Sequence, residues 1–156
     1  GGDLNDARLS GANLKGANLK GAKLIDAKLE QANLAGANLV KAHLARAELS
    51  RADLSGADLQ YADLSWARFG DTNFSGANLR RASLDGANVG NANFRNANLS
   101  GADLVGANLH WADFGLFTAD EANLRGATWS GSTDLPPEIS GGSLWPVNRG
   151  GMIYKG

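Results

Sequence analysis

Ala12-Asn13-Leu14-Lys15-Gly16-Ala17-Asn18-Leu19-Lys20-Gly21 is a five-residue unit written twice. The same phase runs outward in both directions. From residue 7 to residue 114 every fifth residue is Leu, Phe or Val, and the residue two before it is Ala everywhere except Thr72. A period of five fits neither a helix at 3.6 nor an isolated strand at two. In an extended segment, residues two apart point to the same side, so Ala and the central Leu line an interior while the residue between them faces water. Asn or Asp before the centre, and Gly, Ser or a charged residue after it, suit turns and local backbone hydrogen bonds. One such unit cannot bury its Leu alone. Successive units must therefore wind into a coil that stacks on itself.

The large residues give the number of units per coil. Phe74, Phe94 and Phe114 are spaced by twenty, and Phe69 lies twenty before Val89 and sixty before Trp129. If four units close one coil, the three Phe residues form a core aromatic column with rings about one strand spacing, ~4.8 Å, apart. The outward position offers an independent check. Between Asp3 and Asp113 it departs from Asn or Asp at Arg8, Lys23, Lys28, His43, Glu48, Arg68 and Ser83. Counted modulo twenty, all of these fall on two adjacent sides of a square. The other two sides keep Asn or Asp without exception, from Asn13 to Asp113 and from Asn18 to Asn98.

Tandem units such as Ala12-Asn13-Leu14-Lys15-Gly16 and Ala52-Asp53-Leu54-Ser55-Gly56 resemble the pentapeptide repeat family. The resemblance covers about residues 2 to 131 and implies an all-β, right-handed quadrilateral β-helix. Handedness comes from the resemblance. About 26 units correspond to about six and a half coils, a rod on the order of 30 Å tall. The pattern assigns residues 1–131 to the repeat and residues 132–156 to a C-terminal cap. That tail contains all three Pro residues, and Trp145 is the side chain expected to sit on the terminal core. Two departures lie inside the repeat. Thr72 is expected to bond backbone locally, and Phe117-Thr118-Ala119 reads as a size swap within one layer, with Phe where Ala belongs.

Composition narrows the chemistry. The chain has no Cys, so disulfides and thiolate metal sites are excluded, and no apolar run approaches membrane-spanning length. It opens on Gly1-Gly2-Asp3-Leu4 without an initiator Met, which suggests an excised domain or a processed product. His43 and His110 fall on different sides more than three coils apart, which argues against joint metal ligation. Asp53, Asp58, Asp63, Asp103 and Asp113 share their position with Asn, which argues for turn support rather than acid or base catalysis. The glycines recur as corners, Gly16, Gly36, Gly56 and Gly76 in one column, and form no phosphate loop. No nucleophile, base and orienting partner are brought together. The chain is therefore read as no enzyme, with no cofactor and no metal.

Three function classes follow. The first is a scaffold that binds an unknown protein partner. The second is a DNA-mimicking protein directed at gyrase or another topoisomerase, as some members of the resembling family are; 16 acidic against 15 basic side chains disfavour it. The third is a structural spacer in a larger chain. Nucleic acid is disfavoured as a partner. The candidate partner-binding patch lies where both the Asn/Asp rule and the Gly corner rule break. Lys41, Tyr61 and Arg81 run up one corner, Arg46 and Trp66 up the next, with Glu48 and Arg68 on the following side. Exposed Trp and Tyr beside Arg are the types enriched at binding hot spots. Leu4, Leu9, Leu14 and Leu19 would leave the first coil open, so either a missing segment or a partner copy must cover it; if the chain is complete, an end-to-end homodimer through that coil is expected.

Overall fold

The computed structural model describes residues 1–115, 123–124, 127–129 and 153–154, the last two and Trp129 through their backbone. Within them the chain winds as a four-sided parallel coil. Each outward residue bridges its equivalent twenty residues on, as in Asn13↔Asn33, Asn33↔Asp53, Asp53↔Asn73 and Asn73↔Asn93. The other sides step the same way, for example Glu48↔Arg68, Asn78↔Asn98 and Ser83↔Asp103.

The unit 53–57 shows why five residues suffice. Asp53 donates its amide down to Ala32, at 2.9 Å, and Leu54 donates up to Asn73, at 2.8 Å. The Ser55 amide is taken by the Asp53 carboxylate at 3.0 Å. Gly56 donates up to Ser75 at 2.9 Å, and Ala57 closes the corner on the Leu54 carbonyl at 3.1 Å. All five amides are satisfied, one of them only because the outward residue carries an acceptor. The corner bond spans three residues, with φ of 63° at Gly56, the pattern of a type II turn. Positive φ at the corner is the fold's recurring conformational demand.

Ala and the central Leu, Phe or Val point inward, and from Ala22 to Phe114 these residues are at most 2% exposed. The Phe74 and Phe94 rings stack at 4.8 Å and 5°, and Phe94 and Phe114 at 5.0 Å and 4°. Phe69 leans on Phe74 from the adjacent side at 5.0 Å and 60°. Thr72 corrects its expectation. Its hydroxyl bonds no neighbour in its own turn but donates to the Leu49 carbonyl one coil below, at 2.7 Å. That carbonyl already accepts the Ala52 amide, and stacking places it beneath the inward-facing hydroxyl. The buried polar group is thereby satisfied between coils.

At the other end, strand β1 (Thr128–Trp129) pairs in parallel with strand β2 (Ile153–Tyr154), Thr128 opposite Ile153. Thr128 itself continues the column through Asn108. Ile153 thus takes the next rung after an excursion of 25 residues instead of 20. The Phe117 size swap and Trp145 lie outside the described residues, as does much of the proposed boundary at 131/132.

Candidate functional site at the corners

A corner residue at φ near 60° is cheapest as Gly, and an L-residue there costs roughly 1–2 kcal/mol. The column Gly16, Gly36, Gly56 and Gly76 obeys that preference. Each of the other three columns departs from it, one of them at Gln31, Arg51, Asp71, Asn91 and Trp111. Lys41, Tyr61 and Arg81 hold φ of 58°, 58° and 57°, and Arg46 and Trp66 hold 59° and 62°. Large side chains stand at these corners against the backbone's preference. They project outward, where no packing requires them.

The contacts divide the sequence-derived patch. On the first corner, the Arg81 guanidinium carbon lies 5.9 Å from the Tyr61 ring centroid, with Nη1 3.5 Å from the Tyr61 hydroxyl. This is a cation–π contact between consecutive coils. Tyr61 remains 44% exposed. On the second corner, Trp66 is 63% exposed, yet one face of its indole is seated. A Cβ built on Gly86, the next residue up, would come within 2.7 Å of the indole ring atoms. Gly86 is therefore the space in which Trp66 lies.

Arg46 and Glu48 are committed elsewhere. Arg46 clamps Asp26 one coil below, Nε to Oδ1 at 2.9 Å and Nη2 to Oδ2 at 2.6 Å. That hydrogen bond holds the Asp26 carboxyl below the usual aspartate range and raises Arg46 in turn. Glu48 accepts from Lys28, whose ammonium it pushes up. Lys41 and Arg68 are exposed and make no ion pair with any described residue. The corner set thus reduces to Lys41, Tyr61, Trp66, Arg68 and Arg81 as groups available to a partner.

Breaking the Asn/Asp rule has a backbone consequence that sequence reading missed. Where the outward residue is His43 or Arg68, the amides of Ala45 and Gly70 have no acceptor among the described residues. By contrast, Asp53, Asp58, Asp63, Asp103 and Asp113 each accept the amide two residues on. Trp111 was also missed as a surface aromatic. It is 59% exposed, at φ of 64° on a third corner, and its place in the column of Gly11 was the available signal. His43 and His110 stand on different sides, and no group of three metal-ligating side chains occurs among the described residues.

No curated protein sequence matches this chain. A pentapeptide repeat protein of the Arabidopsis thaliana thylakoid lumen shares 34% identity and a TM-score of 0.58, covering 59% of this chain and 64% of its own. HetL of the cyanobacterium Nostoc, involved in heterocyst differentiation regulation, shares 38% identity over 80% of this chain and 65% of its own, with a TM-score of 0.34. This chain therefore spans less than two thirds of the length of both. The plasmid-mediated fluoroquinolone resistance protein QnrB1 superposes with a TM-score of 0.62 at 16% identity, covering 97% of this chain and 85% of its own; that likeness is one of fold alone. The family model described as pentapeptide repeats in eight copies matches residues 3–39, 37–76 and 77–115. With its unit, its coil and its corner turns thus accounted for, the chain belongs to the pentapeptide repeat family and is an all-β, right-handed quadrilateral β-helix.

Proposed function

We propose that the chain is a non-enzymatic protein-interaction scaffold, a rigid rod that docks a carboxylate-rich protein surface through Lys41, Tyr61, Trp66, Arg68 and Arg81. The observation that carries this reading is the retention of large aromatic and cationic side chains at left-handed corners, with Tyr61 and Trp66 each held by a neighbour one coil up. Backbone strain kept at exposed positions marks sites whose side chains are needed. Immobilised aromatics lose little entropy on binding, which suits an anchor. The gyrase-directed alternative gains nothing from a fold likeness, and the near balance of charge argues against mimicry of a polyanion. A spacer role would leave the corner side chains unexplained.

Replacing Tyr61, Trp66 and Arg68 together with Ser tests the reading. All three point outward, so the fold should survive, and capture of an acidic partner from a native extract should fail. Unchanged capture would remove the patch. Association through the first coil is a separate part of the proposal. Leu4, Leu9, Leu14 and Leu19 are only partly buried, whereas Leu24, Leu29, Leu34 and Leu39 directly above them are at 0%. A second copy stacked end to end would cover them, as would a further coil of chain before Gly1. Light scattering that gives a monomer at high concentration would exclude it.

A further inference from the structure

Charge is distributed unevenly among the corners. The corner made by residues 20–21, 40–41, 60–61, 80–81 and 100–101 carries Lys20, Lys41, Arg80 and Arg81 and no acidic residue. All four cations are exposed, and none pairs with a carboxylate among the described residues, whereas Lys23, Lys28, Arg46, Arg51 and Arg95 all do. The next corner is of opposite sign, with Asp6, Asp26 and Asp85 against Arg46 alone. The result is a cationic strip one column wide, with Tyr61 in its middle.

Its dimensions select a ligand. From Lys20 to Arg80 the strip climbs three coils, about 14 Å at the sheet spacing, while residues i, i+2 and i+4 of an extended chain span about 13–14 Å on one face. We infer that this corner binds an extended acidic peptide segment laid along the rod axis, with a carboxylate at i meeting Lys20 and Lys41, residue i+2 resting on Tyr61, and a carboxylate at i+4 meeting Arg80 and Arg81. The inference rests on the scaffold reading above and names the form of its partner. A duplex or a lipid surface is broad, and would bring its charge against Asp6, Asp26 and Asp85 on the flank. A single extended strand avoids them. Arg81 is already fixed over the Tyr61 ring, so part of the site is ordered before a ligand arrives.

Fluorescence anisotropy on the full chain tests this with three labelled probes. One is a peptide with Glu at i and i+4, Leu at i+2 and Ser between; the second has the same composition with its two Glu adjacent; the third is a short single-stranded oligonucleotide. The spaced peptide should bind about tenfold more tightly than the shuffled one, and Lys20→Ser with Arg80→Ser should remove about that factor, the size expected of a few exposed charge contacts. Lys15→Ser should leave this binding unchanged, because this exposed cation lies on another corner, off the strip. Equal binding of the two peptides, tighter binding of the oligonucleotide, or full binding by the Lys20/Arg80 variant would overturn the inference. Should the peptides fail while partner capture still depends on Tyr61, Trp66 and Arg68, the acidic-segment inference falls and the scaffold reading stands.

Discussion

Among the described residues from Asn13 to Asp113, two adjacent sides of this rod hold Asn or Asp at every outward position, and the other two do not; the contrast separates what folds the chain from what the surface is free to carry. On the regular sides each carboxamide or carboxylate accepts the amide two residues on, and the stacked residues also bond one another, Asn73 to Asp53 at 3.1 Å and Asn93 to Asn73 at 3.3 Å. The aromatic column of Phe74, Phe94 and Phe114 belongs to one of these sides. On the decorated sides, amides such as those of Ala45 and Gly70 have no acceptor among the described residues, and the corners accept side chains that Gly would spare. Stability concentrated on one half of the perimeter allows the other half to vary. The same sequence thus separates scaffold from surface within a single coil.

The largest effect should come from the regular side. Phe94→Ala removes a ring held between two others and should cost about 3–5 kcal/mol in chemical denaturation. A loss under about 1 kcal/mol would show that the column does not bear on the core. A paired exchange at the outward positions acts at smaller scale. Asn73→Ala deletes the acceptor of the Ser75 amide and should cost about 1–2 kcal/mol, whereas Arg68→Asn supplies one to the Gly70 amide and should gain about 0.5–1.5 kcal/mol. If both changes were neutral, the outward carboxamides would not distinguish the two kinds of side.

The smallest effect concerns the inter-coil ion pair. Hydrogen bonding to Arg46 holds the Asp26 carboxyl below the ordinary aspartate range. A lowered folded pKa contributes stability above the unfolded value, and that contribution disappears as pH falls through the lowered one. The pair is exposed and screened by salt, so its share of stability is small. Carboxyl titration followed by NMR should place Asp26 low, and Arg46→Ser should return it to the ordinary range. An Asp26 that titrates normally in the parent chain would show that the clamp does not hold in solution.

The architecture was legible because its signal is arithmetic. Phe residues twenty apart and Asn/Asp departures confined to two sides require a four-unit coil before any contact is known. Less legible were features in which one coil acts on the next. Thr72 bonds Leu49, 23 residues away, because the partner of an inward hydroxyl depends on coil stacking. The seat of Trp66 on Gly86 and the engagement of Arg46 by Asp26 have the same origin. The candidate patch therefore contained two residues, Arg46 and Glu48, already paired within the chain, and it omitted Trp111. The return of Ile153 to the column of Thr128 breaks the period by five residues, which no repeat arithmetic contains.

The most direct test of the division between scaffold and surface is one variant read in two ways. Lys41→Gly, Tyr61→Gly and Arg81→Gly together relax three left-handed corners, each worth roughly 1–2 kcal/mol in an L-residue, against about 0.5–1 kcal/mol of backbone entropy per Gly and a modest cation–π contact. The variant should be at least as stable as the parent in urea and should no longer bind the spaced acidic peptide. A variant that is clearly destabilised, or one that still binds, would contradict the division between scaffold and surface.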